Sequence, residues 1–233
     1  MKFLLTNDDG YDAPGLSTLI CVSERLGATV VAAPDRSRSG IGHQVTTCDP
    51  IRVDEEAENR YRVHGTPADC SRLGLTHFVP DADWVIAGIN NGANLGADVY
   101  ISGTVAAARE AALLGYQAMA FSHYIARDRA VDWTLTKHRM MPILEMLLSR
   151  DLRPNHFWNI NFPDPDHDLP TLGHAFCDVD TGPLSVDFDH IGTHYIYKGN
   201  YHKRPRQQGR DVDVCFGGKV AITMIPLEIT NPR

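Results

Sequence analysis

Two carboxylates stand side by side at Asp8 and Asp9, between Asn7 and Gly10 and just behind the apolar run Phe3-Leu4-Leu5. Adjacent carboxylates on a sharp turn converge on one point and repel each other unless a cation sits between them. An Asx-capped turn is the plainer reading of this pair. Its place behind a strand weighs toward the metal reading. Further on, Asp35-Arg36-Ser37-Arg38-Ser39-Gly40-Ile41-Gly42-His43 offers backbone N–H groups to an anion and serine oxygens to a hard cation, although most such loops are simply solvated. Asn90-Asn91-Gly92-Ala93-Asn94-Leu95-Gly96 combines turn residues with amide oxygens that suit the same kind of ion. Ser102-Gly103-Thr104 opens an Ala-rich stretch, where hydroxyls cap a helix and, with its free N–H groups, also form an anion site. All-oxygen donors without convergent His or Cys select Mg²⁺, Mn²⁺ or Ca²⁺ over zinc. A hard cation beside an anion-binding helix end is the equipment of phosphoryl chemistry.

These segments act together only if the fold carries them to one edge. Residues 3–5 read as a short strand, and Leu16, Leu19, Ile20, Val22, Ser23 and Leu26 recur at helical spacing, with Gly27 where a C-terminal cap belongs. Residues 29–33 form a β-branched strand closed by Pro34, and 44–47 and 60–64 read as two short strands. Pro67 starts a helix to about His77, and residues 84–89 make a strand without polar alternation, as expected when both sheet faces are covered. A helix over 104–114 ends at Gly115, followed by a strand over 118–122, a helix over 133–148 and a strand over 157–162. Strands alternating with helices predict a doubly wound α/β fold, with a mostly parallel, Rossmann-like sheet and ligands at the carboxyl ends of its strands.

The chain of 233 residues reads as a single domain, 1–233, with a catalytic core over about 1–163 and a β-rich C-terminal extension over about 164–233. That extension shows two strands (193–197 and 220–225), no convincing helix, and a basic, mobile loop over 198–210. Tyr195, Tyr197 and Phe188 are read as core residues before base-stacking ones, and Lys203, Arg204, Arg206 and Arg210 as solvated surface. The net charge of −7 argues against bulk nucleic-acid binding. Five cysteines at irregular spacing make neither a disulfide framework nor a zinc site. The apolar start is too short for a signal peptide and no run approaches a membrane span, so a cytoplasmic protein without a membrane partner is expected.

Taken in register, residues 1–10, Ala13-Pro14-Gly15, residues 33–40, Gly65-Thr66-Pro67-Ala68-Asp69-Cys70, residues 88–96 and Ser102-Gly103-Thr104-Val105-Ala106-Ala107-Ala108 strongly resemble the survival protein SurE family, metal-dependent 5′/3′-nucleotidases. The resemblance covers roughly the first half of the chain, and residues 221–227 look like the family's last strand. It implies one divalent cation per subunit held by Asp8, Asp9, Ser39 and Asn90, a phosphate cradled by Asn94, Ser102, Gly103 and Thr104, and a homodimer or homotetramer built through the C-terminal extension. Ile101 departs from the tyrosine common there, and the stretch from about Asp180 to Gly218 matches loosely.

The expected reaction is hydrolysis of a nucleoside 5′- or 3′-monophosphate by a metal-activated water. Asp8 or Asp9 orients that water or takes its proton, while Asn94, Ser102 and Thr104 position the phosphoryl group. His43 is a candidate proton donor to the leaving oxygen, or else a loop histidine bound to backbone. Two alternatives stand beside this reading. A phosphatase with an aspartyl-phosphate intermediate, of the haloacid-dehalogenase type, separates its two aspartates by one residue, whereas Asp8 and Asp9 are adjacent. A non-catalytic nucleotide-binding or sensor module lacks a GxGxxG or Walker-type loop here.

Overall fold

The computed structural model describes residues 1–126, 129–164, 172–184, 186–199 and 201–227. Its centre is a nine-stranded sheet in the order β3-β4-β2-β1-β5-β6-β7-β11-β8. The strands are β1 (Lys2–Thr6), β2 (Ala28–Pro34), β3 (Val53–Ala57), β4 (Arg60–Val63), β5 (Trp84–Asn90), β6 (Gln117–His123), β7 (His156–Phe162), β8 (His174–Phe176) and β11 (Val220–Pro226). From β4 to β7 every pairing is parallel, while β3 at one edge and β11 beside β7 run antiparallel.

Period-2 alternation sends successive side chains to opposite faces. Phe3, Leu5 and Val31 join one core with Leu16, Leu19 and Val22 of α1 (Pro14–Ser23) and Met140 and Leu144 of α5 (Trp133–Leu148). Leu4, Ala32 and Val85 join another with Cys70 of α2 (Pro67–Leu73) and Val105, Ala108 and Ala111 of α4 (Gly103–Leu113). Both faces are covered, so the strands lack polar alternation.

After β4 the chain crosses to the other side of β1, so the topological switch lies between β1 and β5, where such sheets form their crevice. Two glycines hold the helices close to that edge. A side chain at Gly15 would strike the Ile89 carbonyl oxygen at 2.0 Å, and one at Gly103 would meet Asp8 Cβ at 2.8 Å.

Several elements differ from the sequence reading. Residues 44–47 are irregular; the strand partner of β4 is β3, whose sequence Val-Asp-Glu-Glu-Ala is polar because it lies at the sheet edge. The helix from Pro67 gives way after Leu73 to a π-helical turn, Gly74–Phe78. Gly27 does not cap α1: Glu24 does, and Gly27 is glycine because the Met1 carbonyl oxygen comes within 2.2 Å of where its Cβ would be. The tail contains a helix, α6 (Asp211–Phe216), and its β11 and β8 complete the main sheet. Among the described residues, only the strands β9 (Phe188–Ile191) and β10 (His194–Tyr197) stand apart, as a two-stranded hairpin.

Candidate active site

β1 ends at Thr6, and the chain turns through Asn7, whose amide nitrogen donates to the Gly10 carbonyl (2.8 Å). Gly10 sits at φ +107°, a conformation that glycine takes without steric cost. The turn delivers Asp8 and Asp9 to the edge next to the end of β5. Asp8 Oδ1 accepts from Thr104 Oγ1 on α4, and Asp9 Oδ2 accepts from the Asn91 amide (3.0 Å) just after β5. Asp8 is only 3% exposed. Burial pushes its carboxyl up to about 6, with the Asp9 charge adding and the Thr104 hydrogen bond opposing. Burial also raises Asp9, against the Asn91 hydrogen bond.

Ser102 follows the short helix α3 (Asp98–Ile101) and caps α4: its hydroxyl accepts from the Val105 amide (3.1 Å), and its backbone is extended. The first turn of α4, whose leading N–H groups have no partner within the helix, therefore lies against the Asp8 carboxylate. Asn90 commits its amide nitrogen to the Gly92 carbonyl (2.7 Å), which leaves the amide oxygen for a cation. Ser39 comes from the loop after β2 and lines the same cleft.

This cleft, about 390 Å³, is lined by Asp8, Asp9, Ser39, Asn90, Asn94 and Ser102, and beyond them by Ile101, Leu184, Tyr197, Tyr201 and Arg204. Gly103 and Thr104 lie directly behind Asp8, and Thr104 is fully buried. Among the described residues no three His, Cys, Asp or Glu side chains gather as a metal site. The donors collected here are two carboxylates, a hydroxyl and amide oxygens. That set fits a hard divalent cation and does not fit zinc.

Besides Gly103 and Thr104, a further sequence-derived candidate, His43, does not line the cleft. His43 Nε2 donates to Glu110 Oε2 (2.6 Å), a buried carboxylate on α4, and neither of its ring nitrogens meets backbone. The role of proton donor to a leaving oxygen does not suit it there.

The residues that hold Asn94 were not legible from the sequence. Asn94 is pinned by β7: its amide N–H donates to Asn161 Oδ1 (2.7 Å), and Asn159 and Asn161 donate to its carbonyl (2.8 and 3.1 Å). Its own amide nitrogen donates to Ser122 Oγ (2.7 Å), leaving Oδ1 for a ligand. Two asparagines alternating inside the apolar strand Phe-Trp-Asn-Ile-Asn-Phe were the available signal, because a fully buried amide needs a specific partner. Asp211 holds the same loop by accepting from the Gly96 amide (2.8 Å), and it accepts from the Asp180 amide as well (2.8 Å).

The basic stretch 198–210 is not simply solvated. Arg204 Nη1 donates to Asp98 Oδ2 (2.7 Å), Arg204 Nη2 donates to the Leu95 carbonyl (2.6 Å), and Tyr201 OH donates to the same Asp98 oxygen (2.8 Å). Burial and the Asp98 charge raise the Tyr201 phenol far above its ordinary value. Tyr195, Tyr197 and Phe188 are not core residues: all three are exposed on the β9–β10 hairpin, and Tyr197 reaches the cleft.

The family model described as Survival protein SurE matches residues 3–180. A protein of Synechocystis sp., provisionally named as a 5′-nucleotidase, is 49% identical over 225 residues, covering 97% of this chain and 99% of its own. The 5′-nucleotidase SurE of Geobacter metallireducens is 36% identical over 238 residues, covering 99% of this chain and 93% of its own. The crystal structure of the SurE protein from Aquifex aeolicus superposes with a TM-score of 0.86 at 30% identity, over 99% of this chain and 95% of that one. This chain belongs to the survival protein SurE family.

Proposed function

We propose that this protein is a metal-dependent nucleotidase that hydrolyses nucleoside 5′-monophosphates, and 3′-monophosphates at the same site, to nucleoside and phosphate. The observation that carries the reading is the buried contact between Asp8 and Thr104, which sets a carboxylate pair against a helix N-terminus at the β1/β5 switch point. The names of the Geobacter and Synechocystis relatives support the activity.

Asp8, Asp9, Ser39 and Asn90 would hold one divalent cation, Mg²⁺ or Mn²⁺, with Ca²⁺ acceptable to the same oxygens. When bound, the cation supplies Lewis-acid chemistry, lowering the pKa of an attacking water and offsetting charge on the phosphoryl oxygens. Whichever of Asp8 and Asp9 keeps a free oxygen toward the water orients it and takes its proton. Ser102, Asn94 and the N–H groups of Gly103 and Thr104 hold the phosphate, so catalysis is placement and electrostatics. The outer wall of Ile101, Leu184 and Tyr197 offers apolar surface to the nucleoside.

The exposed hairpin suits self-association into a homodimer or homotetramer. Five free thiols suit the reducing cytoplasm. Among the described residues no helix is long and apolar enough to cross a membrane.

Phosphate release from AMP and GMP is the test. Release that requires Mn²⁺ or Mg²⁺ and stops in excess chelator is expected. Nucleotide binding without release would instead identify a sensor, and a trapped phosphoenzyme would identify an aspartyl-phosphate route.

A further inference from the structure

Between β2 and β3, residues 35–52 form no regular element, yet Ser39 must stand at a fixed place in the cleft. The loop is tied on both sides of that serine. Before it, the Arg38 amide donates to the Asp8 carbonyl (2.7 Å). After it, the Gly42 amide donates to the Ile101 carbonyl (3.0 Å), and the next residue is His43. Only Ser39, Gly40 and Ile41 span the two ties, and Gly40 and Gly42 take positive φ there (+71° and +65°).

Nε2 of His43 donates to Glu110 Oε2 (2.6 Å), and the Glu110 carboxylate is 3% exposed on α4. Glu110 stands six residues beyond Thr104 on a rigid helix, roughly 9 Å along its axis. Its other oxygen accepts from Arg72 Nε on α2 (2.5 Å). One buried carboxylate thus joins the loop that carries Ser39 to the helix whose first turn cradles the phosphate.

We infer that His43 is a positioning residue, fixing the Ser39 loop against the phosphate cradle through Glu110. The inference rests on the metal reading of the cleft. Without the imidazole the loop loses its side-chain ties to Glu110 and Arg109 of α4 and keeps, after Ser39, the Gly42 amide bond and the more distant hydrogen bonds from Thr46 to Asp69 (2.9 and 2.7 Å), so Ser39 is held less closely in registry with Asp8 and Asp9. Partners of this outer kind typically change metal affinity by about 10–100-fold.

The experiment measures Mn²⁺ binding to the substrate-free protein by electron paramagnetic resonance, alongside activity and thermal unfolding. His43→Ala is expected to raise the Mn²⁺ dissociation constant by about tenfold. At saturating Mn²⁺, kcat should return to within about twofold of wild type, because the residue touches no substrate. His43→Gln, which keeps a donor at similar reach, should restore much of the affinity. Arg72→Ala strips the other oxygen of the same carboxylate without touching the loop, and should lower the unfolding midpoint while leaving Mn²⁺ affinity unchanged. Equal affinity losses in His43→Ala and Arg72→Ala, or unchanged affinity in His43→Ala, would overturn the inference and leave the nucleotidase reading standing. A wild-type protein that binds no Mn²⁺ would remove the metal reading and the inference with it.

Discussion

Thr104 Oγ1 donates to Asp8 Oδ1, so the first turn of α4 and the end of β1 meet in a single buried hydrogen bond. The contact brings a carboxylate of the proposed cation site and a hydroxyl of the proposed phosphate site into touch. It does so by burying a group that is costly to ionise, and the Asp8 carboxyl rises to about 6 through burial first and the Asp9 charge after it.

Asp8→Asn separates function from stability. Loss of a direct ligand should lower Mn²⁺-dependent phosphate release by more than the roughly hundredfold that outer partners cost. In chelator, the same change should raise the thermal midpoint at pH 8. An acid raised in the folded state keeps its proton there while the unfolded chain releases it, so stability falls as pH rises from about 4 to about 6. The gain from Asn is therefore full above that window and fades toward pH 4. Equal midpoints for the two proteins at pH 8 would show that the buried charge costs nothing.

Ser102→Ala removes the cap of α4, whose hydroxyl accepts from the Val105 amide (3.1 Å). A lost serine cap costs about 1 kcal/mol, to be read from urea unfolding without substrate. Ser102 also lines the cleft, so KM for AMP should rise as well. Ser102→Thr retains a capping oxygen and should recover most of the stability. A KM unchanged in the alanine variant would remove Ser102 from the phosphate cradle.

What the sequence disclosed of this site follows from distance along the chain. Asp8, Asp9, Asn90 and Ser102 lie at or just beside strand or helix ends, and Ser39 lies in the loop that follows β2, so a strand-and-helix reading with the switch-point rule brings them together. The residues that hold them come from far away: Asn161 is 67 residues from Asn94, and Arg204 is 106 from Asp98. No local pattern marks such a pair, and a basic tail reads as solvated until its buried acid is seen. The missed elements share one cause. α6 has six residues, too few for a periodicity, and is placed by the buried side chains of Val212 and Cys215. The edge strand β3 is held by its ladder to β4, with little apolar pattern of its own.

The β9–β10 hairpin should mediate self-association. A lone two-stranded hairpin is marginal in water. This one exposes Ile191 (62%) and Ile196 (51%), which fall on one face by the pairing of Ile191 with His194 and Ile196 with Asp189. Ile191→Lys with Ile196→Lys should shift the protein to a smaller species in light scattering while the far-UV spectrum stays the same. An unchanged mass would place the subunit contact elsewhere.

The opposite face of the hairpin carries Phe188, Tyr195 and Tyr197, since Tyr197 pairs with Phe188 and Tyr195 lies two residues before it. Tyr197 is 58% exposed and lines the cleft that begins at Asp8 and Asp9. An exposed ring at the apolar end of the proposed phosphate-binding cleft is placed to stack on a base, a contact worth about 1–3 kcal/mol. Tyr197→Ala should therefore raise KM for AMP and GMP about tenfold, with kcat retained, as expected for lost uniform binding. Ribose 5-phosphate has the phosphate and the sugar but no base, so its kinetics should be the same in both proteins. A matching loss on ribose 5-phosphate would mean that Tyr197 shapes the cleft as a whole, and unchanged KM for both nucleotides would put the base against a different wall.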